Sequence, residues 1–157
     1  MTERLAFNNV APELAKTMFA AHTALMNSAL DKTLIDLVFL RVSQLNGCAY
    51  CVDLHAYDLR KAGENERRVN AVSVWREVPF FSAAERVALA WAEAVTLIAD
   101  THAPDEVYEP LREHFDEKQI ATLTFAIALM NLFNRTGIAF RKALPNPDTL
   151  AWSFEQA

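Results

Sequence analysis

Asp31-Lys32-Thr33-Leu34-Ile35-Asp36-Leu37-Val38-Phe39-Leu40-Arg41-Val42-Ser43-Gln44-Leu45-Asn46-Gly47-Cys48-Ala49-Tyr50-Cys51-Val52-Asp53-Leu54-His55 carries a helix start, a helix stop and a second helix in succession. Asp31 suits an N-cap, because its carboxylate can accept from a free N–H of the first turn. Leu34, Ile35, Val38 and Val42 then repeat at i, i+1, i+4 and i+8, the period of one helical face through Leu45. Asn46-Gly47 punctuates that run, and a new helix is predicted from Cys48 to Ala62, ended by Gly63 as a left-handed cap.

The same grammar extends over the chain. Pro12 opens a helix to about Ser28 whose apolar stripe reads as Leu14, Met18 and the Phe19/His22 side. Asn65 caps a short helix with Arg67, Arg68 and Val69, and Pro79 marks a break. Ser82-Ala83-Ala84-Glu85 is a capping box for a helix to about Thr101. Asp105 starts another, ending near His114-Phe115. Asp116-Glu117-Lys118-Gln119 opens a run from Ile120 to Leu144 that is apolar on most sides and is expected to be buried, in the domain centre or between subunits. Pro145 and Pro147 stop it, before a tail with Trp152 and Phe154. Only three glycines occur, and no stretch alternates long enough for a strand. The expected fold is an all-α bundle of six to eight helices in one domain, residues 1–157.

With 157 residues, 52% hydrophobic and 22% charged, and a net charge of -5, the chain has an ordinary globular composition. The negative balance opposes nucleic acid or an anionic membrane as main partner. The first nine residues lack a signal-type apolar stretch, and the longest apolar run, Phe125 to Met130, is short for a bilayer. A cytoplasmic protein is the expectation. Thiols stay reduced there, so a close cysteine pair reads as catalytic or metal-binding rather than structural.

Cys48-Ala49-Tyr50-Cys51 and His55 contain both cysteines of the chain. At about 100° per residue, Cys48, Cys51 and His55 fall within roughly 60° around a helix axis. Cys48 is expected in the first turn, where unpaired N–H groups and the helix dipole favour a thiolate. Cys51 is within disulfide reach, and His55, four residues on, can shuttle a proton to that sulfur. These are the parts of a minimal thiol peroxidase: an attacking thiolate, a resolving thiol and a base. Zinc on Cys48, Cys51 and His55 is a competing reading, although a structural zinc takes four ligands and no further cysteine exists. A thioredoxin-type fold needs a βαβ pattern that is not visible here. Two buried structural cysteines beside a satisfied histidine is the third alternative.

The run from Leu40 to His55 resembles the signature of the alkylhydroperoxidase D-like family, within the carboxymuconolactone decarboxylase superfamily, over about residues 33–64. The resemblance implies an all-α, AhpD-like fold assembled as a trimer or a hexamer of paired trimers. It also implies peroxide reduction without a cofactor or metal. Cys51 would become a sulfenic acid, while Cys48 donates a proton and then closes the disulfide. His55 matches the relay histidine, and the relay carboxylate twelve residues before the first cysteine is Asp36 here, where the family usually has glutamate. Tyr50 stands where well-studied members carry a histidine. The implied partners are a peroxide substrate, an external thioredoxin-like or lipoyl-type dithiol reductant, and further copies of the chain. Dipole physics makes Cys48 the more acidic thiol, whereas the resemblance gives the attack on peroxide to Cys51. The alternative functions are a lactone decarboxylase like the superfamily's name-giver and a non-catalytic oligomer whose disulfide senses redox state.

Asp53 lies on another helix face and reads as a solvated or subunit-contact carboxylate. Arg41 reads as a salt-bridge partner, and Ser43 and Asn46 as holders of the turn through side-chain to backbone bonds. His22, His102 and His114 show no ligand spacing. Trp75, Phe80, Phe81 and Trp91 read as core rather than pocket lining. Asn131, Asn134, Arg135 and Arg141 interrupt the apolar C-terminal helix and are expected to find partners on facing helices of another subunit.

Overall fold

The computed structural model describes residues 2–144; Pro145, Pro147, Trp152 and Phe154 lie outside them. The described residues form only helices and turns: α1 (Phe7–Val10), α2 (Pro12–Met26), α3 (Lys32–Asn46), α4 (Ala49–Lys61), α5 (Glu66–Ala71), α6 (Ala83–Thr96), α7 (Ile98–Thr101), α8 (Asp105–Tyr108) and α9 (Glu117–Phe140). Two 3₁₀ turns cover Val72–Glu77 and Glu109–Glu113. The all-α class holds among the described residues. The nine α segments exceed the expected six to eight because α1, α7 and α8 are single turns.

Two breaks have local causes. The helix predicted to reach Thr101 stops at Thr96, and Leu97 takes φ -97°, ψ 33°. The Thr101 hydroxyl donates to the Ala94 carbonyl at 2.6 Å, taking the acceptor that a continuous helix would give to the residue-98 N–H. Pro110 cannot donate to a helical ladder, so the segment from Asp105 tightens into a 3₁₀ turn after Tyr108.

Helix starts fall where the capping residues stand. Asp31 accepts from the Leu34 N–H at 2.9 Å, Asn65 accepts from Arg67, and Ser82/Glu85 and Asp116/Gln119 both close capping boxes. The C-terminal helix ends at Phe140 with Arg141 left-handed at φ 55°, ahead of either proline.

Burial refines two expectations. In α2 the buried residues are Ala15 and Leu25; of the expected stripe Leu14 is 63% exposed, while Met18, Phe19 and His22 are half-buried on the inner side. Within one chain the helix enclosed on most sides is α3, whereas α9 keeps an exposed face. Ile35, Val38, Phe39 and Val42 enter one core with Cys48, Cys51 and residues of α6 and α9. Leu37 and Leu40 enter a second core with Leu59, Trp75, Phe81 and Leu89. In α9, Leu123, Ile127 and Met130 face inward while Phe125, Leu132 and Ile138 are exposed. By length and composition α9 would suffice to cross a membrane, but its inner face packs on α3 and α6 and holds buried, hydrogen-bonded asparagines, as in the core helix of a bundle.

The reversal from α3 to α4 positions the site. Gly47 sits at φ 70°; its N–H donates to the Gln44 carbonyl and the Cys48 N–H donates to Ser43 at 3.0 Å. This pair of bonds is a Schellman motif, and Gly63 at φ 89° repeats it at the end of α4, with Glu64 N–H donating to Leu59. A Cβ on Gly47 would meet no atom within 4 Å, so only the backbone conformation resists a side chain there. Gly47→Ala is expected to destabilise the protein by about 1–2 kcal/mol through left-handed strain, read as a lower urea midpoint with an unchanged slope.

Candidate active site

All four residues singled out in the sequence lie on α3, α4 or their junction. Cys48 is the N-cap of α4 rather than a first-turn residue, with φ -82° and ψ 98°, and Cys51 stands at the third helical position. The spacing brings their sulfurs to 2.7 Å in hydrogen-bond contact, and both are free thiols. Their residues are 1% and 5% exposed.

The pair shares charge unequally. Cys48 is lowered to about 7, foremost because the Cys51 thiol donates to its sulfur. Burial opposes this, while the backbone N–H groups of Cys51 and Tyr50 and the Asn134 side chain support it. Cys51 is pushed up, first by holding its proton toward Cys48, then by burial and the Cys48 charge. Of the two sulfurs Cys48 is therefore the more readily ionised, as the helix terminus favours.

Groups from α9 complete the thiol environment. Asn134 is fully buried; its oxygen accepts from Asn46 at 2.9 Å, and its amide donates to Ser43 Oγ at 3.1 Å. A Cβ on Gly137 would lie 3.5 Å from Cys48 Sγ, which shows how closely this helix passes the sulfur. The Lys142 ammonium lies 4.3 Å from the Tyr50 ring centroid, and its charge favours an ionised Cys51. Burial and the neighbouring thiols raise the Tyr50 phenol to about 12, so it stays neutral.

The second pair joins α4 to α3. His55 Nδ1 lies 3.5 Å from Asp36 Oδ1, so the shorter carboxylate reaches the imidazole's immediate surroundings. Asp58, which sequence reasoning passed over, stands 3.9 Å from the same nitrogen. It sits at i+3 from His55, a spacing that could have flagged it. The His55 ring packs on Phe39, with centroids 5.0 Å apart, and Phe39 belongs to the core that contains both cysteines.

Several secondary expectations change. Asn131 and Asn134 find partners within the chain: Asn46 donates to both, and Asn131 donates to Thr96 at 3.3 Å. Another subunit is not needed for them. Arg135 binds Asn131 of its own helix. Ser43 and Asn46 bond to α9 side chains rather than to the turn backbone. Arg41 pairs with Glu93 at 2.7 Å, where Trp75 and Arg76 also converge. Trp75, Phe81 and Trp91 are core, with Phe80 packed beside it. His22 stacks near Phe39 and Phe133, and burial followed by the nearby His55 charge lowers its pKa. His102 takes a left-handed cap conformation.

A buried dithiol at the N-terminus of α4, with an imidazole–carboxylate pair joining the same helix to α3, defines an all-helical thiol protein. The carboxymuconolactone decarboxylase family model matches residues 12–94, and the chain belongs to that family. It is 40% identical to the uncharacterized protein YdfG of Bacillus subtilis (strain 168) over 139 residues, covering 88% of this chain and 95% of the relative. An alkyl hydroperoxide reductase AhpD of Bradyrhizobium sp. is 39% identical over 75 residues, which cover 47% of this chain and 39% of that protein. Among solved structures, ATU0492 from Agrobacterium tumefaciens has a TM-score of 0.90 at 40% identity, covering 92% of this chain and 99% of the other. It is a protein of unknown function described as a candidate antioxidant defence protein AhpD. The debrominase Bmp8 shares the fold alone, with a TM-score of 0.76 at 20% identity, covering 87% of this chain and 73% of that one.

Thiolate absorbance near 240 nm titrates the pair without requiring reagent access. One ionisation with a midpoint near pH 7 is expected. Asn134→Leu is expected to move it upward and to destabilise the fold by about 1–3 kcal/mol, since Asn46 and Ser43 lose their partner. Linkage gives the sign for stability. Between pH 7 and 9 the unfolded Cys48 still binds a proton that the folded residue has lost, so the reduced protein gains stability as pH rises. Above pH 9 the raised Cys51 works in the opposite direction. Chemical denaturation of the reduced protein at pH 6, 8 and 10 checks this order.

Proposed function

We propose that this protein is a thiol-dependent peroxidase of the AhpD type, operating without a cofactor in a reducing compartment such as the cytoplasm. The observation that carries the reading is the 2.7 Å thiol pair with one acidic sulfur. The AhpD relative and the resemblance of residues 40–55 supply the peroxide.

The pair holds one proton, and the short contact lets it cross. As peroxide arrives, the proton passes from Cys51 to Cys48, and the Cys51 thiolate attacks the distal oxygen. The O–O bond breaks, Cys51 becomes a sulfenic acid, and the leaving alkoxide takes the proton from Cys48. The Cys48 thiolate then attacks the Cys51 sulfur and expels hydroxide, which leaves as water. That last proton comes from outside the pair, and His55 with Asp36 is its proposed route. An external dithiol, thioredoxin-like or lipoyl-type, reduces the disulfide by exchange. This sequence reconciles an acidic Cys48 with attack by Cys51, because the resting charge and the attacking sulfur differ by one proton transfer.

We also propose self-association as a trimer or hexamer. Phe125 is 50% exposed on the outer face of α9, and Leu132, two turns on, is 44% exposed. This apolar pair on one helix face suits contact with further copies of the chain.

Dithiothreitol-dependent consumption of hydrogen peroxide and cumene hydroperoxide tests the activity. Multiple turnovers by wild type are expected, with none after Cys51→Ser or Cys48→Ser. Asp36→Asn is expected to slow turnover at least tenfold, at or below the usual range for a lost acid–base group of about 10²–10⁴. A wild type that oxidises once and does not turn over with reductant would replace the enzyme by a redox sensor. Light scattering after size exclusion should give a trimer or hexamer mass, and Phe125→Glu is expected to shift it toward monomer.

A further inference from the structure

The geometry points to a divalent transition-metal site, of zinc class, formed by Asp36, His55 and Asp58. One oxygen or nitrogen from each residue lies within 4.8 Å of the others. The His55 Nδ1 to carboxylate separations are 3.5 Å to Asp36 and 3.9 Å to Asp58. Metal–ligand bonds of about 2.0–2.1 Å in tetrahedral array place neighbouring donors about 3.4 Å apart. Sub-ångström adjustments therefore bring the donors nearest His55 Nδ1 to that spacing.

A second observation points into the same space. His55 is 4% exposed, and its Nδ1 has no hydrogen-bond partner although two carboxylates face it. Buried polar atoms are normally satisfied, and an unsatisfied one asks for an explanation such as an ion. A metal on Nδ1 would satisfy that nitrogen and neutralise the facing carboxylates together. The donor set contains one imidazole and two carboxylates and no sulfur, which suits zinc better than magnesium, an ion that dehydrates reluctantly and favours oxygen ligands. Three protein ligands leave a fourth position for water. The side chains of Asp36 and Asp58 are 15% and 28% exposed, which provides an entry path.

The site differs from the CxxC zinc considered from sequence, because its ligands come from two helices and exclude both cysteines. On the peroxidase reading, occupancy removes Asp36 and His55 from proton transfer, so zinc would inhibit turnover. That consequence rests on the reading above, whereas metal binding does not.

Calorimetric titration of Zn²⁺ into the Cys48→Ser/Cys51→Ser protein tests the site with thiol ligation removed. One zinc per chain is expected. Adding Asp58→Asn or His55→Gln is expected to weaken binding by more than about 100-fold, since losing even an outer-shell partner typically weakens a metal site 10- to 100-fold. Far-UV circular dichroism checks that each variant is folded. Should the double variant not fold, the wild type oxidised to its Cys48–Cys51 disulfide serves in its place. X-ray absorption is expected to show one nitrogen and two oxygen protein ligands, without sulfur. No binding at millimolar Zn²⁺ would overturn the site and leave an imidazole–carboxylate contact. Binding unchanged by Asp58→Asn would also overturn it.

Discussion

The reversal at Gly47 constrains everything that follows it. A left-handed residue lets Gly47 and Cys48 donate back to Gln44 and Ser43, so α3 ends with two of its last carbonyls satisfied. The next residue is then already the N-cap of α4. This places a sulfur where a serine or aspartate oxygen normally stands, close to the free N–H groups of a first turn. The second sulfur follows at the third helical position, within reach of the first. Two helix ends joined by one glycine thus place an acidic thiol where the Cys51 thiol and the first-turn N–H groups favour its charge.

Such a thiolate must be buried without being orphaned. Burial raises a thiol, as it contributes at Cys51; at Cys48 the Cys51 thiol and the first-turn N–H groups offset it, with Asn134 of α9 adding to them. Asn46 and Ser43 of α3, Asn131 and Asn134 of α9 and Thr96 of α6 bond to one another in a polar seam across the three helices. Each buried amide in this seam would be destabilising alone, so the bonds also fix how α9 lies against α3. The same helix passes close to Cys48, where a Cβ on Gly137 would make an ordinary 3.5 Å contact with Sγ. The seam is therefore both structural and electrostatic: moving α9 would disturb the bundle and the thiol together.

The imidazole belongs to a separate charge problem. His55 faces Asp36 from α3 and Asp58 from its own helix, so negative groups outnumber the one nitrogen they surround. A proton or a metal ion can occupy that position, and the two have opposite consequences for an enzyme that moves protons. Elsewhere the fold settles a similar problem with side chains alone: Glu93 is enclosed by Arg41, Arg76 and Trp75 and its pKa is lowered. No arginine reaches the His55 cluster in that way among the described contacts.

The sequence by itself determined the helix ends and the thiol spacing. Asp31, Ser82 and Asp116 mark starts, and Gly47 and Gly63 mark stops, because caps and left-handed turns are hydrogen-bond choices made within a few residues. Cys48, Cys51 and His55 share a face for the same local reason, whereas Asp36 is singled out only through the resemblance to the family, which implies a relay carboxylate twelve residues before the first cysteine. Tertiary structure decided what local patterns do not encode. It made α3 rather than the more apolar α9 the enclosed helix within one chain, because only α3 has packing partners on both sides. It gave Asn131 and Asn134 their partners in α3 and α6, residues far away in the chain. It brought Asp36 to His55 and Lys142 over Tyr50. Each of these rests on the meeting of distant segments, where burial and electrostatic energies depend on distance in space rather than on position in the chain.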